Sequence, residues 1–301
     1  MGIFKKPRLL IIGGILLFAA IVLTVLFLPK QPHTIGFFGL DRESAETLLL
    51  QECLEDSGYN IYYAETAEDL HSANCKVWIV RVLNDEDARQ VVDAVGEKAI
   101  FISRKPSLSQ PVRFAGWDME AAGKLFAALL GNLPLQGDTN EDGIVSCLLL
   151  TGSLHNWETI DWQKGLREGI AQAQLPVEIL DTRSCILTEA EGGIATQNSL
   201  SAYGRDIEVI LSSSEVLSEG AAQAITQGGW VISEDIYLLS LGHTQLSIDA
   251  LNNQLRSGLV YGQWADFNQL VLSAVADTVD GEDPQDYLLP FAVYNNAFPL
   301  Q

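Results

Sequence analysis

Basic side chains are scarce in this chain of 301 residues, which has 18 lysines and arginines against 39 aspartates and glutamates. Four of the basic residues and none of the acidic ones lie within the first 30 positions, so the remainder has 14 basic and 39 acidic residues, a net charge of −25. A surface of that sign repels phosphate backbones and anionic headgroups. The charge therefore excludes nucleic acid and anionic lipid as partners.

The chain also lacks the short motifs of the common enzyme classes. No Gly-x-Ser-x-Gly elbow, His-Glu-x-x-His pair or phosphate-binding glycine loop is present. Such motifs supply the nucleophiles, metal ligands and anion cradles of those classes. The adjacent Gly13 and Gly14 lie inside an apolar run. We therefore predict that the protein is not an enzyme.

Cysteine is rare as well, and the four examples are Cys53, Cys75, Cys147 and Cys185. Their spacings match no zinc motif, and they are too few for a disulfide scaffold of this length. An oxidising location would permit the pairs 53–75 or 147–185. Buried free thiols are the alternative, which is favoured for Cys147 because it lies within an apolar segment.

One long apolar run lies near the N-terminus, where residues 9–28 contain no charged side chain. At about 1.5 Å per residue this run spans the ~30 Å hydrocarbon core of a bilayer. Lys5, Lys6 and Arg8 precede it and Lys30 follows, so the positive-inside rule predicts a cytoplasmic N-terminus and an extracytoplasmic remainder. A cleaved signal peptide is the alternative, although no small-x-small site follows the run. No cysteine follows it directly, which excludes lipid attachment there.

From Thr34 onward, short apolar runs alternate with segments of helical period, which indicates βα units around a parallel sheet. The first predicted set has strands at 34–40, 60–66, 76–83, 98–104 and 112–117 and helices at 42–56, 67–73, 85–96 and 119–131. The second has strands at 144–151, 177–182, 207–213 and 236–242 and helices at 157–174, 188–203, 215–227 and 246–256. Two last apolar segments, 259–264 and 287–294, complete a sheet or cross between lobes. This order predicts two doubly wound α/β lobes with a ligand cleft at the carboxyl ends of the strands.

The polar boundary between the two sets contains half of a calcium-binding loop. Asp138, Asn140, Asp142 and Gly143 occupy positions 1, 3, 5 and 6 of an EF-hand-type pattern, which supplies oxygens and a sharp turn. Position 12, usually a bidentate glutamate, is Leu149 inside an apolar run. A calcium site here must therefore receive its last carboxylate from elsewhere in the chain. The alternative is an Asx-rich turn without a metal, because Asp, Asn and Gly are common in turns.

Residues 137–143, followed by an apolar strand that ends in Leu150-Thr151-Gly152, resemble the galactose/glucose-binding members of the type I periplasmic binding proteins. The resemblance covers about residues 34–298. Further segments that follow the family order are 101–106, 115–118, 207–210 and 291–294. The resemblance implies two hinged lobes that enclose a small molecule and present it to an ABC permease or a sensor.

The resemblance also implies how the calcium loop is completed. In the family, a glutamate from an Ile-Glu-Val-Val strand closes the site, and that residue is Glu208 here. The implied ligands are the side chains of Asp138, Asn140, Asp142, Ser146 and Glu208 and the backbone carbonyl of Ile144. Ser146 stands where the family has a longer glutamine, so a water can stand between its hydroxyl and the ion. The implied role of the metal is structural.

The residues that would bind a hexose match the family less well. His155 keeps its register, but Trp157 and Asp161 stand where the family has an aspartate and an arginine. The residues predicted to bind a ligand are Asp41, Ser103, His155, Trp157, Ser213, Thr244 and Trp264. Trp117, Trp157 and Trp264 lie at strand ends, where they form either an aromatic platform or packing between the lobes. Galactose or glucose is therefore not expected to bind in the family's manner, which leaves a different small ligand, a partner surface or a degenerate cleft.

These observations predict a membrane-anchored, extracytoplasmic solute-binding protein for a carbohydrate-like molecule, with a structural calcium ion. The alternative is an anchored interaction or scaffold protein with a degenerate sugar cleft. The predicted organisation is a cytoplasmic segment 1–8, an anchor 9–28, a first lobe 34–132 and a second lobe 138–298. Crossovers between the lobes are expected near 133–143, 259–266 and 287–294.

Overall fold

The computed structural model describes residues 32–102 and 105–295, and of residues 264 and 265 only the backbone. The anchor predicted at 9–28 lies outside these residues. No helix within the described ranges is both long and apolar enough to cross a membrane. All four cysteines are free thiols, and Cys147 is buried within its strand as its sequence context predicts.

Strands and helices alternate along the described chain. The strands are β1 Thr34–Phe38, β2 Asn60–Tyr63, β3 Val77–Val80, β4 Ala99–Ile102, β5 Arg113–Trp117, β6 Val145–Thr151, β7 Val177–Ser184, β8 Val209–Ser212, β9 Tyr237–Gly242, β10 Gly258–Tyr261, β11 Asp286–Leu289 and β12 Ala292–Asn295. The helices are α1 Ala45–Asp56, α2 Ala67–Ser72, α3 Asp85–Val95, α4 Met119–Gly131, α5 Trp157–Ala173, α6 Glu189–Tyr203, α7 Glu215–Gln227, α8 Gln245–Asn252 and α9 Trp264–Asp280.

The strands form two six-stranded sheets, one in each lobe. Their orders are β11-β5-β4-β3-β1-β2 and β12-β10-β9-β8-β6-β7, and every pair is parallel except β10 with β12. The central strands β3, β4, β6, β8 and β9 are buried along their whole length, as expected for parallel strands with helices on both faces. The two-lobed α/β architecture predicted from the sequence is confirmed.

Within residues 32–295 as described, the chain crosses between the lobes three times, and the first crossover lies earlier than predicted. The sequence order places helix α4 in the first lobe, but its Phe126 and Leu130 pack with Cys147 and Leu149 in the core of the second lobe. The first crossover therefore lies between β5 and α4, not near 133–143. A long apolar stripe on a helix indicates that it packs on a sheet, but not on which of the two.

The other crossovers lie in the predicted regions. Helix α9 follows β10 of the second sheet and returns to the first lobe, where Val271 and Val275 pack with Ile35 and Ile79. The apolar segment predicted at 287–294 divides into β11 of the first sheet and β12 of the second. Three segments of chain therefore connect the lobes, which is the arrangement of a hinge.

Side-chain caps start several helices directly after the strands. The side chains of Ser44, Asn84, Asp118 and Thr188 accept the backbone N–H of Thr47, Asp87, Ala121 and Glu191, respectively. Such caps satisfy N–H groups that the first helical turn leaves without partners. The caps place polar helix starts along the carboxyl edge of each sheet, where the two lobes face each other.

Candidate functional site

A cavity of about 600 Å³ lies between the lobes at the carboxyl ends of the strands. Leu40, Arg81 and Ile102 line it from the first lobe, at the ends of β1, β3 and β4. The second lobe contributes residues that follow β6, β8 and β9, among them Gly152 and Ser213. This is the position in which open α/β sheets bind ligands, because loops and helix starts of several strands converge there.

Glu158 is the acidic residue that the first turn of α5 brings into this cavity. It is half-buried, and among the described residues its carboxylate accepts one hydrogen bond, from Asn156 Nδ2 at 3.2 Å. Burial raises the pKa of Glu158, while the Asn156 hydrogen bond and the charge of Arg81 act in the opposite direction. Arg81 belongs to the first lobe, so this attraction acts across the cleft. No ion pair of Glu158 occurs within the described part of the chain.

Glu215 holds the loop after β9 on the opposite side of the cavity. Its Oε2 accepts the backbone N–H of His243 at 2.8 Å, and its Oε1 accepts the hydroxyl of Thr244. The His243 ring places Nδ1 2.9 Å from the carbonyl oxygen of Gly262, and burial lowers the pKa of this imidazole. The arrangement holds the His243 ring at the second crossover and keeps Glu215 and Thr244 in the cavity wall.

A third glutamate of the cavity wall, Glu219, is paired with a buried arginine. Arg256 Nη2 lies 2.6 Å from Glu219 Oε1, and only 1% of the arginine side chain is exposed. Its Nε donates to Ser218 Oγ at 3.1 Å and its Nη1 donates to the Leu255 carbonyl at 2.7 Å. A buried guanidinium with three such partners has lost its water but not its hydrogen bonds. The pair fixes the start of β10 against α7.

Two tryptophans join the lobes. The Trp117 ring at the end of β5 lies 4.8 Å from the His243 ring and 5.1 Å from the Phe291 ring, and it stacks on Phe267 at 6.0 Å. A side chain at Gly262 would meet this indole at 2.3 Å, so a glycine is required there. The Trp157 ring of α5 packs edge-on against Phe114 of the first lobe. These contacts correspond to interlobe packing, one of the two alternatives that the sequence left open for Trp117 and Trp157.

The structure brings only some of the predicted ligand residues to the cavity. Ser213 and Thr244 line it. Asp41 accepts the N–H of Glu43 in its own turn at 3.0 Å, and His155 lies exposed on a loop, so neither of them lines the cavity. Trp157 is not among the lining residues either. Ser103 lies outside the described residues, and Trp264 begins α9 with a side chain that is not described.

Glu158, Glu215 and Arg81 line the cavity but were not singled out from the sequence. Glu158 and Glu215 follow predicted strands by no more than about two helical turns, and Arg81 lies near the end of the strand predicted at 76–83. The signal for all three was therefore their position at a carboxyl edge. The register with the sugar-binding family pointed to other positions. Matching the sequence to the family thus pointed to different residues from those that line the cavity in the structure.

The calcium-like loop has the turn geometry that its sequence indicates. Asp138 Oδ2 accepts the N–H of Gly143 at 2.9 Å, Asn140 Oδ1 accepts that of Asp142 at 2.9 Å, and Asp142 Oδ1 accepts that of Ile144 at 2.8 Å. Gly143 has a φ of +88°, a conformation that side chains other than glycine rarely adopt. The side chains at positions 1, 3 and 5 therefore turn inward over the loop backbone.

Glu208 lies against this loop, as its predicted register requires. The residue directly precedes β8 and is fully buried. Its Oε1 accepts the backbone N–H of Thr139 at 2.6 Å and of Asn140 at 3.0 Å, and its Oε2 accepts that of Ser146 at 2.8 Å. The carboxylate thereby joins both ends of a loop that is almost seventy residues away in sequence.

The donor set of the loop suits a hard cation, since every side chain offers oxygen and three are carboxylates. Asp138, Asp142 and Glu208 form no ion pair with a lysine or arginine of the described chain. By their chemistry these residues fit calcium. Among the described residues, however, no three His, Cys, Asp or Glu side chains converge on one point, and the oxygens of Glu208 face backbone N–H groups.

Comparison of the sequence with protein-family models and with curated proteins finds no match. Solved structures do match in fold. A glucose-galactose binding protein from Geobacillus stearothermophilus is 15% identical, with a TM-score of 0.71 over 88% of this chain and 97% of that protein. A galactofuranose binding protein is 18% identical, with a TM-score of 0.74 over 88% and 95% of the two chains.

A third similar structure is the periplasmic binding protein component of an arabinose ABC transporter from Shewanella sp. ANA-3, bound to arabinofuranose. It is 16% identical, with a TM-score of 0.72 over 87% of this chain and 91% of that protein. All three similarities extend over both lobes. The chain therefore has the two-lobed fold of the type I periplasmic sugar-binding proteins.

Proposed function

We propose that this protein is an extracytoplasmic solute-binding protein, and not an enzyme, that takes a polar, carbohydrate-like small molecule into the cleft between its lobes. The observation that carries the proposal is the cavity of about 600 Å³ at the carboxyl ends of both sheets. Its volume is in the range of small-molecule sites. Proteins of the same fold bind galactofuranose and arabinofuranose, by their descriptions.

Closure of the lobes around the ligand is the motion that this proposal requires. Three crossovers connect the lobes, and the Trp117 cluster packs where they meet. A bound molecule would contact residues of both lobes, such as Arg81 and Ser213, and would favour the closed form through that difference in contacts.

The proposal includes the membrane anchor at 9–28 and a membrane partner, either an ABC permease or a sensor. The support for the anchor is the uncharged apolar run and the basic residues before it. The support for the permease is the description of one protein of this fold as a component of an arabinose ABC transporter. Protease treatment of intact cells or spheroplasts tests the anchor: residues 31–301 should be cleaved, whereas without protease the full chain should stay in the membrane fraction.

We also propose that the loop at 138–146 holds a structural calcium ion. Asp138, Asn140, Asp142 and Glu208 would supply side-chain oxygens, with the Ile144 carbonyl and Ser146 completing the set. A divalent ion would neutralise three carboxylates that have no basic partner in the described chain. Calcium should raise the melting temperature of chelator-treated protein, and magnesium should do so less. If EDTA leaves the melting temperature of the calcium-loaded protein unchanged, the proposed metal site is wrong.

A scaffold function is the second candidate, and one observation favours it. Asp41, His155 and Trp157, which the family register assigns to the ligand, do not line the cavity. A thermal-shift screen of the full chain in detergent, against monosaccharides, polyols and nucleosides, separates the two candidates. Stabilisation by one chemical class supports solute binding, whereas no stabilisation by any compound supports the scaffold.

A further inference from the structure

Acidic side chains outnumber basic ones in the cavity wall. Its charged residues within the described chain are Glu46, Glu158, Glu189, Glu215 and Glu219 against Arg81. Of the hydroxyl groups, that of Thr244 already donates to Glu215. A neutral sugar presents hydroxyl groups that each donate and accept, so it is best served by a balanced wall. This wall is instead suited to a ligand that mainly donates.

Glu158 is a glutamate of the cavity wall whose charge is only partly compensated by nearby groups. Glu158 is half-buried with only the Asn156 amide as a hydrogen-bond partner in the described chain, and Arg81, whose charge it feels, lies beyond ion-pair distance on the other lobe. Burial raises the pKa of Glu158, which is the mark of a carboxylate that has lost water without gaining a full counter-charge. Glu219 differs, because Arg256 neutralises it from behind.

Apolar side chains form another part of the cavity wall. Leu187, Val216 and Leu246 line the cavity from loops and helix starts at the carboxyl edge, and their exposed fractions are 52%, 43% and 70%. Apolar walls lower the local dielectric and so strengthen the attraction between a carboxylate and a cation that replaces water. A charged ligand group would thus be held at Glu158 while its carbon skeleton contacts the leucine side chains.

We propose that the preferred ligand of the cleft is a cation, namely a sugar or polyol that carries a primary amine, and that Glu158 binds the ammonium group. This inference rests on the proposed function as a solute-binding protein. It names the ligand class of that same cleft. The ammonium group supplies three donors and no acceptor, which matches the excess of carboxylate oxygens in the wall.

The test is isothermal titration calorimetry of the full chain in detergent at pH 6.5, where an amine is protonated. The ligands are glucosamine, galactosamine and mannosamine, each compared with its neutral parent hexose and with its N-acetyl derivative. At least one amine should bind about tenfold or more tightly than both of its neutral counterparts. Glu158→Gln should abolish most of this preference, whereas Glu234→Gln, the same charge change at an exposed position outside the cavity wall, should not.

The outcomes separate the inference from the proposed function. Binding of a neutral hexose as tight as that of its amine would overturn the inference and leave solute binding standing. Binding of the amine that Glu158→Gln does not weaken would overturn the assignment of Glu158. If neither calorimetry nor thermal shift detects binding of any amine or of any compound in the wider neutral panel, both proposals are overturned. Circular dichroism of the variants confirms that each is folded.

Discussion

The Trp157 indole of the second lobe packs edge-on against the Phe114 ring of the first lobe, with the ring centroids 5.6 Å apart and the planes at 90°. Trp157 also contacts the hydrophobic cores of both lobes. An edge-to-face pair of this kind adds about 0.5–1.5 kcal/mol to the effect of burial. The two lobes are therefore joined by apolar contact in addition to the three crossovers of the chain.

Replacing Trp157 by alanine should destabilise the protein more than it affects ligand binding. The loss of packing against Phe114 should lower the free energy of unfolding by about 2–3 kcal/mol. This is less than the ~3–5 kcal/mol typical of a fully buried large aromatic side chain, because Trp157 is only half-buried. Denaturant unfolding measures the effect, and Trp157→Phe is the matched control that keeps an aromatic ring. A Trp157→Ala protein of unchanged stability would contradict the packing role.

Glu208 should be essential for the loop at 138–146, with or without a metal. Glu208→Gln exchanges one acceptor oxygen for an NH₂ group, which faces backbone N–H donors and leaves at least one of them unsatisfied in the interior. We expect a loss of about 1–3 kcal/mol in the free energy of unfolding in the presence of EDTA, measured by denaturant unfolding.

The matched control for this variant is Asp206→Asn, which removes the same charge two residues away at an exposed position. It should change stability by no more than about 0.5 kcal/mol. Equal effects of the two substitutions in EDTA would show that the buried hydrogen bonds of Glu208 contribute nothing.

The titration of Glu158 should reduce stability as the pH rises. Because burial raises its folded pKa above the ordinary value of 4.5, the folded protein binds this proton more tightly than the unfolded chain does. The favourable contribution is complete below pH 4.5 and is lost as the pH rises through the folded pKa. Glu158→Gln mimics the protonated form, so its melting temperature should exceed that of the unchanged protein at pH 7 and equal it at pH 4.

Thermal unfolding at both pH values measures this difference. Glu234→Gln serves again as the control for the overall charge, since its side chain is exposed. A Glu158→Gln protein that is less stable at pH 7 would mean that the attraction to Arg81 outweighs the cost of burial.

The contact between α4 and α5 should not tolerate a side chain at Gly165. A Cβ atom there would lie 1.9 Å from the backbone carbonyl oxygen of Glu120. Gly165→Ala should therefore separate the helices and cost about 1–3 kcal/mol or more in the free energy of unfolding. Gly193→Ala in α6 is the matched control, because its nearest neighbour would be at 3.4 Å and alanine favours helix. Equal stability of the two variants in denaturant unfolding would contradict the close approach of α4 and α5.

Local sequence patterns predicted the secondary structure but not every tertiary contact. The alternation of apolar strands and amphipathic helices is a local property, and the strand positions in both sheets followed from it. The lobe of helix α4 did not follow, because an apolar stripe does not identify the sheet it packs on. In the cleft, Ser213 and Thr244 were found from the family register, whereas Glu158 and Glu215 were not, because the shape of the cavity depends on how the lobes meet.

By itself, the sequence determined the acidic surface, the alternation of strands and helices, the two lobes and the oxygen-rich loop with Glu208 as its remote partner. Each of these depends on residue type, on short-range periodicity or on a family register. Only the tertiary structure decided which lobe holds α4, that Trp117 and Trp157 pack between the lobes, and which carboxylates face the cavity. These properties arise from contacts between residues far apart in the chain, where burial and shape, not local pattern, set the free energy.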